Sequence, residues 1–383
     1  MDENTRTFRI HVSDADLDDL RSRLARTRWP DVVDPDDTSG GVPLTLVRRL
    51  VEHWRDGYDW RAHETALNEL DHRLARVGGL DLHHVVVPAE PPSGVPVVLL
   101  HGWPDSFYRY SRLAPLLAAA GHPVVIPSMP GFPFSEQPTA PMTVALVADL
   151  VHELLGSLGH ERYAVHGGDW GSSVAEQLAT AHPEAVRALH LTDVPVADLF
   201  TLDPAEVGEV EREFLERTNA WAEEASYYRV QGNDPNTLAF GLADSPVGLA
   251  AWLVDKYQAW TDREVDLDQT LTQISLYWHT NTIRSSMRLY AESFAEWSGT
   301  EDAGDDAAGT GDDGTWGGAG PLAVPTAFAL FPADIGRPPR ELAERFFDVR
   351  RFTLLPRGGH FGALEEPELL AEDLLGFLRE LDA

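Results

Sequence analysis

The chain has 383 residues and a formal charge of −32, from 30 basic and 62 acidic side chains. Such a charge repels phosphate backbones, which excludes nucleic acid as a partner. The absence of cysteine excludes disulfides, thiolate metal sites and cysteine nucleophiles. The opening MDENTRTFRI has no apolar h-region, and no run of 18 apolar residues follows, so a cytoplasmic protein without membrane contact is expected.

Residues 1–90 read as an N-terminal segment of helices followed by the first strands. Ser13 can cap a helix with Leu17, Leu20 and Leu24 on one face, and Leu46, Val47, Leu50, Val51 and Trp54 make the stripe of a second. Pro30 and Pro43 punctuate the stretch between them. Near 80–87 the period changes to that of a strand. Over 91–195, short apolar runs at 95–100, 122–127, 162–166 and 188–193 alternate with helical stretches near 140–159 and 172–182. That alternation predicts an α/β fold with a mostly parallel sheet covered on both faces. Residues 196–299 interrupt it with helices rich in Trp and Tyr, as a cap inserted over the strand ends would. Residues 300–320, Gly- and Asp-rich with six acids between 301 and 313, read as a solvated loop. Residues 321–383 return to the α/β pattern, with strands at 324–331 and 351–356 and a last helix.

Three segments carry chemistry. In RYAVHGGDWGSS (162–173) a strand ends in glycines, a carboxylate sits at the bend and a helix begins. Gly167-Gly168-Asp169-Trp170-Gly171 has the form of a nucleophile elbow, with Asp where serine often stands. A carboxylate there is held as the anion by the helix N-terminus and can attack a polarised carbon. By itself the motif fits an ordinary N-cap aspartate equally well. No G-x-S-x-G occurs, which disfavours a serine esterase. In LLHGWPDS (99–106) the backbone N–H of Trp103, with that of Trp170, would form a two-donor oxyanion hole, and the 66-residue interval to Asp169 suits the alternating pattern better than an unrelated Gly-Pro turn does. In LLPRGGHFGAL (354–364), His360 follows the last strand, where an elbow enzyme carries its base. The chain order nucleophile, acid, histidine then points to Asp334, at the end of the strand in VPTAFALFPAD (324–334).

These segments resemble the α/β-hydrolase epoxide hydrolases of the microsomal-type branch. TFRIHVSDADLDDLRSRLARTRWPD (7–31) is similar to the segment that wraps the core in that branch. HGWP (101–104), GGDWG (167–171), FPAD (331–334) and RGGHF (357–361) match its catalytic blocks. YYRVQGNDPNTLAFGLADSPVGLAAW (227–252) and SLYWHTNTIRSSMRLY (275–290) match its cap. The resemblance implies an α/β-hydrolase fold with a helical cap insertion and an N-terminal wrapping segment. It implies hydrolysis of a hydrophobic epoxide to a vicinal diol through an ester on Asp169, and the aromatic cap suggests a bulky or aromatic one. His360 would be the base, Asp334 its orienting acid, and Tyr227 and Tyr290 the proton donors, with Tyr228 a close rival to Tyr227. Small-molecule epoxide and water are the implied partners, with no metal or organic cofactor, and a homodimer is compatible. The membrane anchor of mammalian microsomal members has no counterpart. The 300–320 insert is longer than the family pattern, and Gly362 stands where alanine is common. The excess of Arg over Lys and the Ala-rich helices point to bacterial secondary metabolism. Haloalkane dehalogenation on the same fold, and binding of a small ligand without catalysis, are the alternatives.

Overall fold

A computed structural model describes residues 5–199, 202, 206–264, 266–298 and 321–383; the acidic stretch 300–320 lies outside them. In chain order, β1 (Thr5–Thr7) is followed by helices α1 (Asp14–Ala25), α2 (Leu44–Asp56) and α3 (Trp60–Leu67), then by β2 (Asp71–Val77) and β3 (Leu80–Val87). The alternating part runs β4 (Val97–Leu100), α4 (Leu113–Ala119), β5 (Val124–Pro127), α5 (Val144–Ser157), β6 (Tyr163–Gly167), α6 (Trp170–Ala181) and β7 (Val186–Leu191). The strand expected over 188–193 thus begins and ends two residues earlier, and the helix expected from 172 begins at Trp170.

The nine strands, completed by β8 and β9 below, form one sheet in the order β1-β2-β3-β5-β4-β6-β7-β8-β9. The contacts from β1 to β5 are antiparallel and all the others parallel. The central strands are apolar on both faces because helices cover both; every residue of β4 and β5 is buried. In register, Gly167 lies opposite Leu100 on one side and Leu191 on the other, and Leu191 lies opposite Phe328. These strand ends therefore finish at one level, on the carboxyl edge where parallel α/β sheets build their sites.

Between β7 and β8 the chain forms a helical insertion: α7 (Val196–Leu199), α8 (Glu209–Glu224), α9 (Ser226–Asn233), α10 (Pro235–Asp244), α11 (Pro246–Trp260), α12 (Leu267–Thr280), α13 (Ile283–Ser286) and α14 (Arg288–Ser298). The chain then closes with β8 (Leu322–Leu330), α15 (Arg340–Phe346), β9 (Phe347–Leu354), α16 (Gly362–Glu365) and α17 (Pro367–Asp382). No single described helix is long and apolar enough to cross a membrane. Helices α10 and α11 reach the length together, but turn by 117° between them.

Two features hold the cap to the core. The first is the N-terminal segment. Val47, Leu50, Val51 and Trp54 of α2 are buried, each such side chain worth roughly 1.5–3 kcal/mol. Around them Arg23 donates to the Asp244 carbonyl at 2.8 Å, His53 meets Asp268 at 2.6 Å and the Tyr58 hydroxyl meets Thr272 at 3.0 Å. The segment that wraps the core is thus also a clamp on the cap, reaching α10 at Asp244 and α12 at Asp268 and Thr272. The second is a buried ion pair. Arg109 Nη1 meets Asp105 Oδ2 at 2.9 Å, with both side chains 1% exposed. Arg109 also donates to the His360 carbonyl at 2.6 Å, and Asp105 accepts from Gln273 of α12, while the Tyr277 hydroxyl donates to the Asp105 carbonyl at 2.8 Å. One pair of charges ties together the loop after β4, the loop after β9 and the cap.

Removing one member of such a pair leaves the other charged, dry and unmatched, at a cost of about 3–5 kcal/mol. Asp105→Ala should lower the urea midpoint by that amount of stability, and Asp105→Ala with Arg109→Met should recover part of it. Equal midpoints for the wild type and Asp105→Ala would show that the pair is not needed to hold the fold.

Candidate active site

Asp169 lies two residues beyond β6 at φ 57°, ψ −132°. A side chain in that region carries strain of order 1–3 kcal/mol, so the surroundings must impose it. Close packing does so. At Gly171 a Cβ would run into the carbonyl of Leu100, and at Gly102 a Cβ would run into the Asp169 carboxylate itself. The tight contact of α6 with β4 and β6 is what lifts Asp169 above the sheet.

Asp169 occupies the N-cap position of α6 but makes no side-chain cap bond. Its Oδ1 instead accepts from the Trp103 backbone N–H at 2.8 Å. Trp170 follows directly as the first residue of α6, its ring edge-on to Tyr290 at 4.9 Å. The elbow is secured from another strand. Asp193, two residues past β7, accepts from the Asp169 N–H at 2.8 Å and from the Ser172 hydroxyl. Burial, and then the charge of Asp334, push the Asp193 carboxyl up to about 7. Asp193 thus takes over the local hydrogen bonding and leaves the Asp169 carboxylate facing the cavity.

His360 is set by three contacts. Its N–H donates to the Trp260 carbonyl at the end of α11 at 2.8 Å, its carbonyl is held by Arg109, and its Nδ1 meets Asp334 Oδ1 at 2.8 Å. The Asp334 bond fixes a proton on Nδ1 and turns Nε2 toward Asp169. Nε2 stands 3.6 Å from Asp169 Oδ2, beyond direct hydrogen-bonding range. Burial on its own would push His360 down, but Asp334 and then Asp169 outweigh it and raise the imidazole to about 10. At neutral pH His360 is therefore an imidazolium facing Asp169 across that gap.

The cap supplies the roof. Tyr227 of α9 is buried and stacks on Trp103, with centroids 5.5 Å apart and planes 9° apart. Tyr290 of α14 stands edge-on to Tyr227 at 6.2 Å and to Tyr228 at 5.7 Å. Burial raises both Tyr227 and Tyr290 well above the ordinary phenol range, with the Asp169 charge adding to it. A hydrogen bond from Tyr290 pulls Tyr227 the other way, and one from Trp170 does the same for Tyr290. Both phenols are thus kept protonated. Tyr228 is half-buried beside them.

Asp169, His360, Asp334, Tyr227, Tyr290 and Trp170 all line one cavity that is partly open to solvent; Trp103 lies behind Tyr227. The other walls are mostly apolar: Val194, Pro195, Leu199, Phe214, Trp221 and Ile335. The cavity fits a hydrophobic molecule with one polar centre held between a carboxylate and two phenols. Every residue singled out from sequence is brought to this place. Asp193 and the Asp105–Arg109 pair were not singled out. A signal existed for Asp193, a carboxylate at the end of a parallel strand, but the strand was expected to run through it.

Removal of the Asp169 charge should lower His360. Asp169→Asn is expected to bring its imidazole down from about 10 toward the ordinary 6.5, as read by histidine ¹⁵N NMR with His360→Gln for assignment. A raised folded-state value stabilises the fold fully below the unfolded value and is lost as pH rises through about 10. The urea midpoint of the wild type should therefore fall more steeply between pH 7 and 10 than that of Asp169→Asn. An unchanged His360 titration in that variant would contradict the coupling.

Comparison with known proteins gives a consistent result. Residues 5–110 match the family model described as epoxide hydrolase N terminus, and residues 95–278 match that of the alpha/beta hydrolase fold. Epoxide hydrolase 1 of Sus scrofa is 31% identical, over 100% of this chain and 90% of its own length. Juvenile hormone epoxide hydrolase 2 of Ctenocephalides felis is 30% identical, over 99% and 86%. Among solved structures, the juvenile hormone epoxide hydrolase of the silkworm Bombyx mori superposes with a TM-score of 0.85 at 26% identity, covering 99% of this chain and 95% of that one.

Proposed function

The chain belongs to the epoxide hydrolases of the α/β-hydrolase fold, and within that family we propose that it opens a hydrophobic, aromatic-tolerant epoxide through a covalent ester on Asp169. The observation that carries this reading is the Asp169 carboxylate, free of its own helix and facing a cavity whose opposite wall bears two protonated phenols. A setting in bacterial secondary metabolism rests on composition and on no other feature.

The reaction takes two steps. An Asp169 oxygen attacks one epoxide carbon while the carbon–oxygen bond breaks. The departing oxygen is a poor leaving group unless it is protonated, and Tyr227 and Tyr290 are suited to supply that proton. Tyr227 is the better partner of Tyr290 than Tyr228, being buried, stacked on Trp103 and hydrogen-bonded by Tyr290. Esterification removes the Asp169 charge. One of the two influences that raise His360 disappears with it, so the imidazolium can pass its proton to the phenolate and act as a base only once the ester exists. Neutral His360, oriented by Asp334, then takes a proton from water, and the hydroxide attacks the Asp169 carbonyl. The oxyanion rests on the Trp103 N–H, which already meets Oδ1, and on that of Trp170. The ester breaks, the departing oxygen takes back the proton that His360 drew from water, the vicinal diol leaves, and the proton on the regenerated Asp169 acid returns to His360. The nucleophile thus charges and discharges its own base.

Asp169→Ala should abolish turnover. His360→Gln should give one burst of ester and then stop, seen as an Asp169 peptide heavier by the substrate mass; normal turnover in that variant would sink the assignment. A single turnover in ¹⁸O-water should put the label into the Asp169 carboxylate and none into the diol, whereas label in the diol at the first turnover means direct attack by water. The two phenols favour an epoxide oxygen over a halide, so styrene oxide should be consumed and 1-bromobutane should not. The reverse preference would mark a dehalogenase, and failure to turn over either would favour a binding protein.

A further inference from the structure

The sequence contains one lysine, Lys256, among 30 basic side chains. It lies on α11, in the cap, with its side chain 13% exposed, and its ammonium is 4.5 Å from the centroid of the Tyr227 ring and 5.6 Å from that of Trp260. Asp255, its neighbour in the helix, holds the ammonium at 2.6 Å. Among the described residues no other cation stands over a tyrosine of the cavity. An ordinary surface ion pair accounts for the Asp255 contact alone. It does not account for a covered stem that carries the head over an active-site ring, or for an ammonium at this one position in a chain that otherwise uses guanidinium.

We propose that Lys256 is a positioning residue that acts through Tyr227, its ammonium favouring the negative charge that develops on the phenol ring as the ring gives up its proton. The inference rests on the donor role of Tyr227 proposed above. Before reaction the interaction is that of a cation with a ring quadrupole, modest where partly solvated. As the proton moves to the epoxide oxygen, the electron pair of the breaking carbon–oxygen bond binds that proton and the O–H pair stays on the phenol. The ring then carries part of a full charge, and its attraction to the ammonium rises. An interaction stronger in the transition state than before it raises the rate of that step. Of the other groups facing Tyr227, the Asp169 carboxylate and the phenol of Tyr228 disfavour its anion, the hydrogen bond from Tyr290 favours it, and the rings of Trp103, Trp221 and Trp260 carry no charge. Among the described residues Lys256 is the cation that stands over this ring, and Asp255 holds the same ammonium in place. The phenolate is reprotonated by the His360 imidazolium before water attacks, so the second step, which runs through His360 and water, should not depend on Lys256.

The test separates the two half-reactions. Ester formation and ester hydrolysis are timed by rapid quench with styrene oxide and mass spectrometry of the Asp169 peptide. Lys256→Met and Lys256→Gln should slow ester formation roughly ten-fold and leave hydrolysis of the ester and the thermal midpoint unchanged. Lys256→Arg should restore most of the rate. Since no other side-chain amine exists, chemistry gives a second route: reductive dimethylation, which keeps the charge, should preserve ester formation, and acetylation, which removes it, should slow it. In a Tyr227→Phe background, Lys256→Met should cost nothing further. If Tyr227→Phe slows ester formation but Lys256→Met does not, the inference about Lys256 fails and the donor assignment stands. If Tyr227→Phe has no effect, the donor assignment fails and takes the inference with it. Equal slowing of both half-reactions, or a lowered midpoint with no rescue by arginine, would show that the lysine only supports packing.

Discussion

A carboxylate held at positive φ above the carboxyl edge of a parallel sheet is the constraint on which this molecule is built. The strain at Asp169 persists because α6 lies so close to β4 that only glycine fits at 171, and because the loop after β4 lies so close to the elbow that only glycine fits at 102. The same closeness brings the Trp103 N–H to the carboxylate. It also demands that the turn be pinned from outside, and Asp193 does this from the end of β7. Strain, donor and pin are three consequences of one close approach of backbone to backbone.

The electrostatics follow from where the charges are put. Asp169, Asp193 and Asp334 lie together near the buried His360, in a chain that already carries −32. The cluster is tolerable because its members are treated differently. Asp193 is pushed up to about 7, into the range where it is partly protonated, and Asp334 is paired to His360. Asp169 is met by a backbone N–H and faces the imidazolium across 3.6 Å. In the proposed cycle the same arrangement times the base, since the charge that keeps His360 protonated is the one the reaction consumes. The Asp105–Arg109 pair lies beneath this cluster and holds the His360 carbonyl, so the structural and the chemical charges form one connected set.

The cap is more than a lid of aromatic residues. It brings Tyr227 and Tyr290 over the nucleophile, positions His360 through the Trp260 carbonyl, and is gripped from outside by the N-terminal helices. A segment that reads in sequence as wrapping the core therefore also fixes the distance between proton donor and nucleophile. Packing between α2, α11 and α12 is as much a part of the site as the residues that line it.

The parts legible in the sequence are those dictated by short-range chemistry. Glycines at a forced bend, apolar runs for strands buried on both faces, and a histidine after the last strand mark Asp169, the sheet and His360 without reference to distant residues. The tyrosines came from resemblance, because an aromatic on a cap helix has the same local pattern whether it packs or donates a proton. What only the tertiary structure decided was set by contacts between positions far apart in the chain. Asp193 matters because β7 stops at Leu191 beside β6, Arg109 because a residue 251 positions later offers it a carbonyl, and Lys256 because α11 is laid against α9. Burial and partnership decide the protonation of such groups, and neither is encoded in the few residues on either side of them.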